Sequence, residues 1–173
     1  MCNERRDFST SYRRNGIRVG GIKLDKFMEH AVDLAVHNVR QGGQPFGAVL
    51  VKDGFVVAEG VNELHIKYDI SGHAELLAIR RAQEDYQTND LSGFTMYASG
   101  EPCPMCLTAM YFAGIKEVYY SASVTDAAAV GLTKSAHIYD DLKKLQQERS
   151  LKMVRIPLQE GQENPMKLWK ENN

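Results

Sequence analysis

The sequence is poor in cysteine and in charge of either excess sign. Three cysteines in 173 residues cannot build the disulfide framework of a small secreted domain. A formal net charge of -1 gives no global basic field of the kind that wraps nucleic acid. No apolar run approaches the ~20 residues that cross a bilayer, and the N-terminus lacks the apolar segment of a secretory leader. These absences predict a cytoplasmic protein in a reducing compartment, with neither membrane nor nucleic acid as a partner. No repeat and no linker-like stretch divides the chain. Apolar residues at 43% and charged residues at 25% suit one globular domain with a sizeable core.

Residues 1–21 are polar, arginine-rich and without periodicity, which predicts a disordered arm ahead of a single domain over 22–173. Cys2 falls in that arm and is given no role. From Leu24 to Arg40 apolar residues recur at helical spacing, and Gly42 and Gly43 stop the helix. His30 and His37 are seven apart on it and read as surface or partly packed residues. "FGAVLVKDGFVVAEG" (Phe46 to Gly60) reads as two strands joined at Lys52-Asp53-Gly54. A helix is predicted from His73 to Tyr86, a strand over Phe94–Ser99, a helix over Cys103–Ala113 and a strand at "EVYYSA". A helix over Ala136–Gln147, a short strand near Met153–Ile156 and a helical piece around Trp169 complete the chain. This order predicts an α/β fold, a three-layer α/β/α sandwich around a mixed five-stranded sheet.

Two of the three cysteines lie together in "SGEPCPMC" (Ser99 to Cys106), each beside a proline. Thirty residues upstream, "SGHAELLAIR" begins a helix with His73 and Glu75. A Cys-x-x-Cys at a helix start aims two sulfurs at one point, and the free N–H groups there favour thiolates. Pro102 and Pro104 cost little where the first turn has no N–H partners to lose. Two thiolates and one imidazole give zinc three ligands and leave a fourth position open, the arrangement of a catalytic site. Glu75, two residues after the histidine, could stand beside the metal as a proton carrier. The pattern His-Ala-Glu…Pro-Cys-x-x-Cys matches the signature of zinc-dependent base deaminases. Three other readings stay open: a redox pair that leaves His73 and Glu75 idle, a structural zinc using His65 or His137, and two inert buried thiols. Glu101 reads as a structural residue at the strand-to-helix turn, and Trp169, Tyr119 and Tyr120 as packing residues.

On these residues the sequence resembles the cytidine and deoxycytidylate deaminase superfamily, and within it the bacterial guanine deaminase branch. The resemblance rests on "PFGAVLVKDG" (45–54), "AEGVN" (58–62), "HAELLAIR" (73–80), "EPCPMC" (101–106) and "TDAAAVG" (125–131). The tRNA adenosine deaminases share the central motifs but usually carry Val where Pro104 stands, and lack the "TDAA" run. The resemblance implies that His73, Cys103 and Cys106 hold zinc and that Glu75 shuttles protons. It places Phe46 against the substrate ring and makes Asn62 a hydrogen-bonding contact. It also implies a homodimer in which 163–173 is exchanged between subunits.

Three departures bear on substrate. Gly131-Leu132-Thr133-Lys134 stands where the guanine deaminases carry an acidic pair, so Lys134 becomes a candidate substrate contact, against the reading of a plain surface lysine. The chain ends Lys170-Glu171-Asn172-Asn173 where its relatives end in an aromatic residue, and Asp69-Ile70-Ser71-Gly72 replaces Asp-Pro-Thr-Ala. The expected activity is hydrolytic deamination of a free nucleobase or similar aminated heterocycle, guanine to xanthine first. Another purine base or nucleoside, or adenosine in tRNA, is the alternative within the enzyme class. A zinc-structured or redox interaction module is the alternative outside it.

Overall fold

The computed structural model describes residues 18–19, 22–23 and 26–172. Two short strands, β1 (Arg18–Val19) and β2 (Ile22–Lys23), pair antiparallel. The rest of the expected N-terminal arm, Cys2 included, lies outside the described residues.

Helix α1 (Lys26–Arg40) buries Phe27, Ala31, Ala35 and Asn38, the stripe that the 3.6-residue period dictates. Strands β3 (Gly47–Lys52) and β4 (Phe55–Val61) form the predicted hairpin. Its turn residues Asp53 and Gly54 both have positive φ, 51° and 80°, the backbone that a two-residue hairpin of this hand requires. Helix α2 (Ala74–Tyr86), strand β5 (Thr95–Gly100), helix α3 (Pro104–Phe112) and strand β6 (Glu117–Ala122) follow. The sheet order is β4-β3-β5-β6, with β5 antiparallel to β3 and parallel to β6.

Side chains alternate across a strand, and here both faces are covered. Val49, Val51 and Tyr97 pack with Phe27 and Ala31 of α1 on one face. Ala48, Leu50 and Met96 pack with Ala78, Ile79, Cys106 and Met110 of α2 and α3 on the other. Both helix layers sit close because glycines meet them. A Cβ at Gly47 would lie 2.5 Å from the Ala31 carbonyl oxygen, and one at Gly60 would run into the Ala74 carbonyl. The result is the expected three-layer α/β/α sandwich around a mixed sheet.

Two expectations differ. The sheet has four strands among the described residues, because the Met153–Ile156 run pairs with no strand. Helix α5 covers Lys134–Leu142 instead of 136–147, and a short helix α4 (Val124–Ala129) precedes it. α4 is held by a reciprocal capping box between Ser123 and Asp126. The described residues divide into two compact units, one ending at Ile138 and the other beginning at Tyr139. The second carries the C-terminal helix α6 (Pro165–Asn172). None of residues 139–172 is buried, and Ile156 and Trp169 are 87% and 69% exposed. No helix among the described residues is long and apolar enough to cross a membrane.

Candidate metal centre and active site

His73 and Cys103 occupy the same local position, the extended residue that precedes a helix. His73 (φ -85°, ψ 148°) caps α2 and Cys103 (φ -67°, ψ 165°) caps α3. Neither cap side chain accepts a backbone N–H of its own helix, so both are turned to other work. Pro104 takes the first helical position, where its missing N–H costs nothing. Cys106 follows one turn later and is fully buried.

The three side chains converge. Cys103 Sγ lies 3.5 Å from His73 Nδ1, Cys106 Sγ 3.6 Å from the same nitrogen, and the two sulfurs 3.5 Å apart. Tetrahedral zinc, with Zn–S near 2.3 Å and Zn–N near 2.0 Å, puts its ligand atoms about 3.5–3.8 Å apart. The donor set therefore fits zinc in spacing and in softness. Among the described residues this is the group of His, Cys or carboxylate ligands arranged for a metal ion, and neither His65 nor His137 joins it. The closed four-ligand structural site thus lacks its fourth member, and the redox reading no longer leaves His73 idle.

Glu75 stands in the first turn of α2, buried, with Oε2 3.5 Å from Cys106 Sγ. It lies beside the ligand trio without belonging to it. Burial pushes its carboxyl above the usual range, and the Cys103 thiolate pushes the same way. The two thiols share their protons unequally. The hydrogen bond from Cys106 and the His73 ring hold Cys103 down to about 4. That same bond, burial and the Glu75 carboxylate push Cys106 up. His73 is raised chiefly by its bond to Cys103, while burial and the positive charge of Lys134 oppose it. Lys134, exposed at the start of α5, is therefore within electrostatic reach of the centre.

Phe46 and Asn62 flank the same end of the sheet. The Phe46 ring covers Gly100, where a Cβ would come within 2.9 Å of Cε1, and it packs on the cluster that Cys103 and Met105 also cover. Asn62 is fully buried and its backbone N–H donates to the Phe46 carbonyl at 3.1 Å. Glu101 is structural, as expected: its Oε2 accepts from the Val124 N–H at 2.9 Å and ties α4 to the β5–α3 turn. Tyr119 stacks on Tyr97 at 5.2 Å. His30 is partly packed, with Nε2 2.9 Å from Glu59 Oε1.

Ser99, Asn38 and Gln44 also shape this end of the sheet, with little in the sequence to mark them. Ser99 Oγ accepts from the Gly47 N–H and donates to the Pro45 carbonyl, which fixes the Pro-Phe-Gly bend. Asn38 had one available signal: it continues the buried stripe Phe27, Ala31, Ala35 as its only polar member.

A mixed sheet that presents two soft sulfurs, one imidazole and a detached carboxylate at two helix starts defines the class of zinc-binding α/β deaminase domains. Residues 22–122 match the model of the cytidine and deoxycytidylate deaminase zinc-binding region, and the chain belongs to that family. It is similar to the guanine deaminase of Bacillus subtilis (strain 168), with 42% identity over 147 residues, 84% of this chain and 93% of that one. The X-ray structure of guanine deaminase from Bacillus subtilis superposes with a TM-score of 0.79 at 40% identity, covering 87% of this chain and 95% of that one. The tRNA-specific adenosine deaminase of Agrobacterium fabrum is 39% identical over 105 residues, 58% of this chain and 69% of that protein.

Proposed function

We propose that this protein hydrolytically deaminates a free nucleobase, with guanine as substrate and xanthine and ammonia as products. The observation that carries the reading is the trio of ligand atoms 3.5–3.6 Å apart with the buried Glu75 carboxylate alongside. Similarity to the Bacillus guanine deaminase over most of both chains supports guanine over other bases.

His73, Cys103 and Cys106 would hold zinc, which when bound lowers the pKa of water toward 7 and makes it a nucleophile at neutral pH. Glu75 accepts a proton as water adds to the ring carbon that bears the amino group. It passes that proton to the adjacent ring nitrogen, and a second transfer converts the amine into departing ammonia. One water is consumed and one ammonia released, so Glu75 ends as it began. Its raised affinity for protons, which burial supplies, suits a group that must both take and give them. Phe46 lies against the ring, Asn62 hydrogen-bonds its edge, and Lys134 contributes a cation that favours a substrate with an acceptor on that side. The protein acts in the cytoplasm as a homodimer that exchanges residues 163–173. The absence of any buried residue over 139–172, with Leu168 and Trp169 exposed, supports a partner surface for that segment.

An ammonia-release screen of zinc-loaded protein across guanine, guanosine, adenine and cytosine tests the reading, with bound zinc measured in the same sample. Turnover of guanine alone, with one zinc per chain, is the expected result. Salt-sensitive tRNA binding with adenosine turnover would replace the substrate by RNA. Bound zinc with every base inert would leave a zinc-structured module, and no zinc with a reversible disulfide would leave a redox pair.

A further inference from the structure

Asn62 has no exposed surface, so the direction of its amide is decided by what surrounds it. Two contacts decide it. The Leu64 backbone N–H donates to Oδ1 at 3.1 Å, and Nδ2 donates to Gln44 Oε1 at 3.2 Å. A backbone N–H cannot be turned into an acceptor, so Leu64 fixes which end of the Asn62 amide is oxygen. The nitrogen then faces Gln44, and only the carbonyl end of the Gln44 side chain can receive it. A flipped Asn62 would set N–H against the Leu64 N–H, a buried mismatch.

Gln44 is itself held. Its backbone carbonyl accepts from Asn38 Nδ2 at 2.8 Å and from the Phe46 N–H at 2.8 Å. The same Asn38 nitrogen donates to the Asn62 carbonyl at 3.0 Å. One buried side chain on α1 thus ties the loop before β3 to the residue that follows β4. Gly43 completes the fit, since its N–H donates to the Asn38 carbonyl at 2.9 Å. A Cβ there would lie 2.5 Å from Asn38 Nδ2.

From this network we infer that Gln44 is a positioning residue for base recognition, acting through Asn62 and anchored by Asn38. With one N–H spent on Gln44 and one lone pair spent on Leu64, the Asn62 amide keeps one donor and one acceptor. That remaining pair matches a ring edge that offers an acceptor beside a donor, and a base reaches it by displacing what now covers Asn62. The inference rests on the reading of Asn62 as a substrate contact.

The test is a mutant cycle on zinc-loaded protein with guanine, or with whichever base the ammonia screen finds active. Gln44→Leu keeps the bulk and removes the acceptor, and should raise KM about tenfold, the cost of one unmade hydrogen bond, with kcat and zinc content unchanged. Gln44→Glu keeps an acceptor oxygen and should restore the wild-type KM. In an Asn62→Ala background, Gln44→Leu should add nothing. An unchanged KM in Gln44→Leu, or an additive penalty in that background, overturns the inference. A second readout needs no turnover: the bonded Asn62 Nδ2 proton should resonate downfield in wild type and Gln44→Glu, and lose that shift in Gln44→Leu. If no base is deaminated, the proposed function fails, while this proton still decides whether Gln44 orients Asn62. An Nδ2 proton indifferent to Gln44→Leu refutes the positioning role.

Discussion

A carboxylate buried beside two sulfurs is costly unless it has a task, because a desolvated charge without a cationic partner loses several kcal/mol of hydration. Glu75 accepts that cost on the first turn of α2, where free N–H groups favour an anion. Replacing it with Gln preserves shape and removes the proposed proton carrier. Glu75→Gln should keep stoichiometric zinc by elemental analysis and lower kcat by about 10³-fold, within the usual range for a general acid–base. Cys106→Ala should behave oppositely at the metal, with zinc lost along with activity. The convergence of His73, Cys103 and Cys106, with Glu75 alongside, was legible because each sits at a fixed offset from a helix start, and helix starts announce themselves in sequence. Gln44 was not legible, since its role comes from a neighbour eighteen positions away and a loop glutamine carries no local mark. The proposed contact of Lys134 has no sign in the sequence beyond a departure from relatives.

Among the elements, the closest fit is that of β4 against the start of α2. Gly60 has no side chain to hold the two apart, and any Cβ would meet the Ala74 backbone carbonyl, which cannot rotate aside. Gly60→Ala should therefore destabilise by about 3 kcal/mol, as overpacking does, seen as a lower urea midpoint with unchanged slope. Because Ala74 follows His73, zinc affinity should weaken in the same variant. Glu101→Ala should remove the Val124 contact and cost about 1 kcal/mol. The hairpin, α1, α2 and α3 were legible from period and turn chemistry. Helix α4 was not, because its six residues are too few for a 3.6-residue pattern to repeat. Its one written sign was the Ser123-x-x-Asp126 cap. Met153–Ile156 misled in the opposite direction: local β-propensity was present, but a strand exists only where an edge accepts its hydrogen bonds.

At the scale of the whole domain, the His30–Glu59 ion pair ties α1 to β4. The Glu59 hydrogen bond raises the pKa of His30 against the opposing effect of burial, helped by the charges of Glu59 and Asp33. A histidine whose folded pKa lies above the unfolded value, ~6.5, stabilises fully below that value. The stabilisation is lost as pH rises through the folded value. Urea midpoints of wild type and His30→Gln should therefore differ at pH 5.5 and converge by pH 8.5. The gap should stay within the ~0.2–1 kcal/mol of a solvent-accessible pair. A gap that widens with pH would contradict this assignment.

Strand β3 is paired on both edges and covered on both faces, whereas β4 and β6 each have one strand neighbour among the described residues. No partial opening frees the β3 backbone, because every route to it first removes a helix or a flanking strand. In deuterium uptake, the amides of Val49 and Leu50 should consequently report the global unfolding free energy, while those of β6 exchange through smaller fluctuations. The strand that begins one residue after Phe46 is then the last part of the sheet to let go, and the slowest clock in the molecule ticks beside its active site.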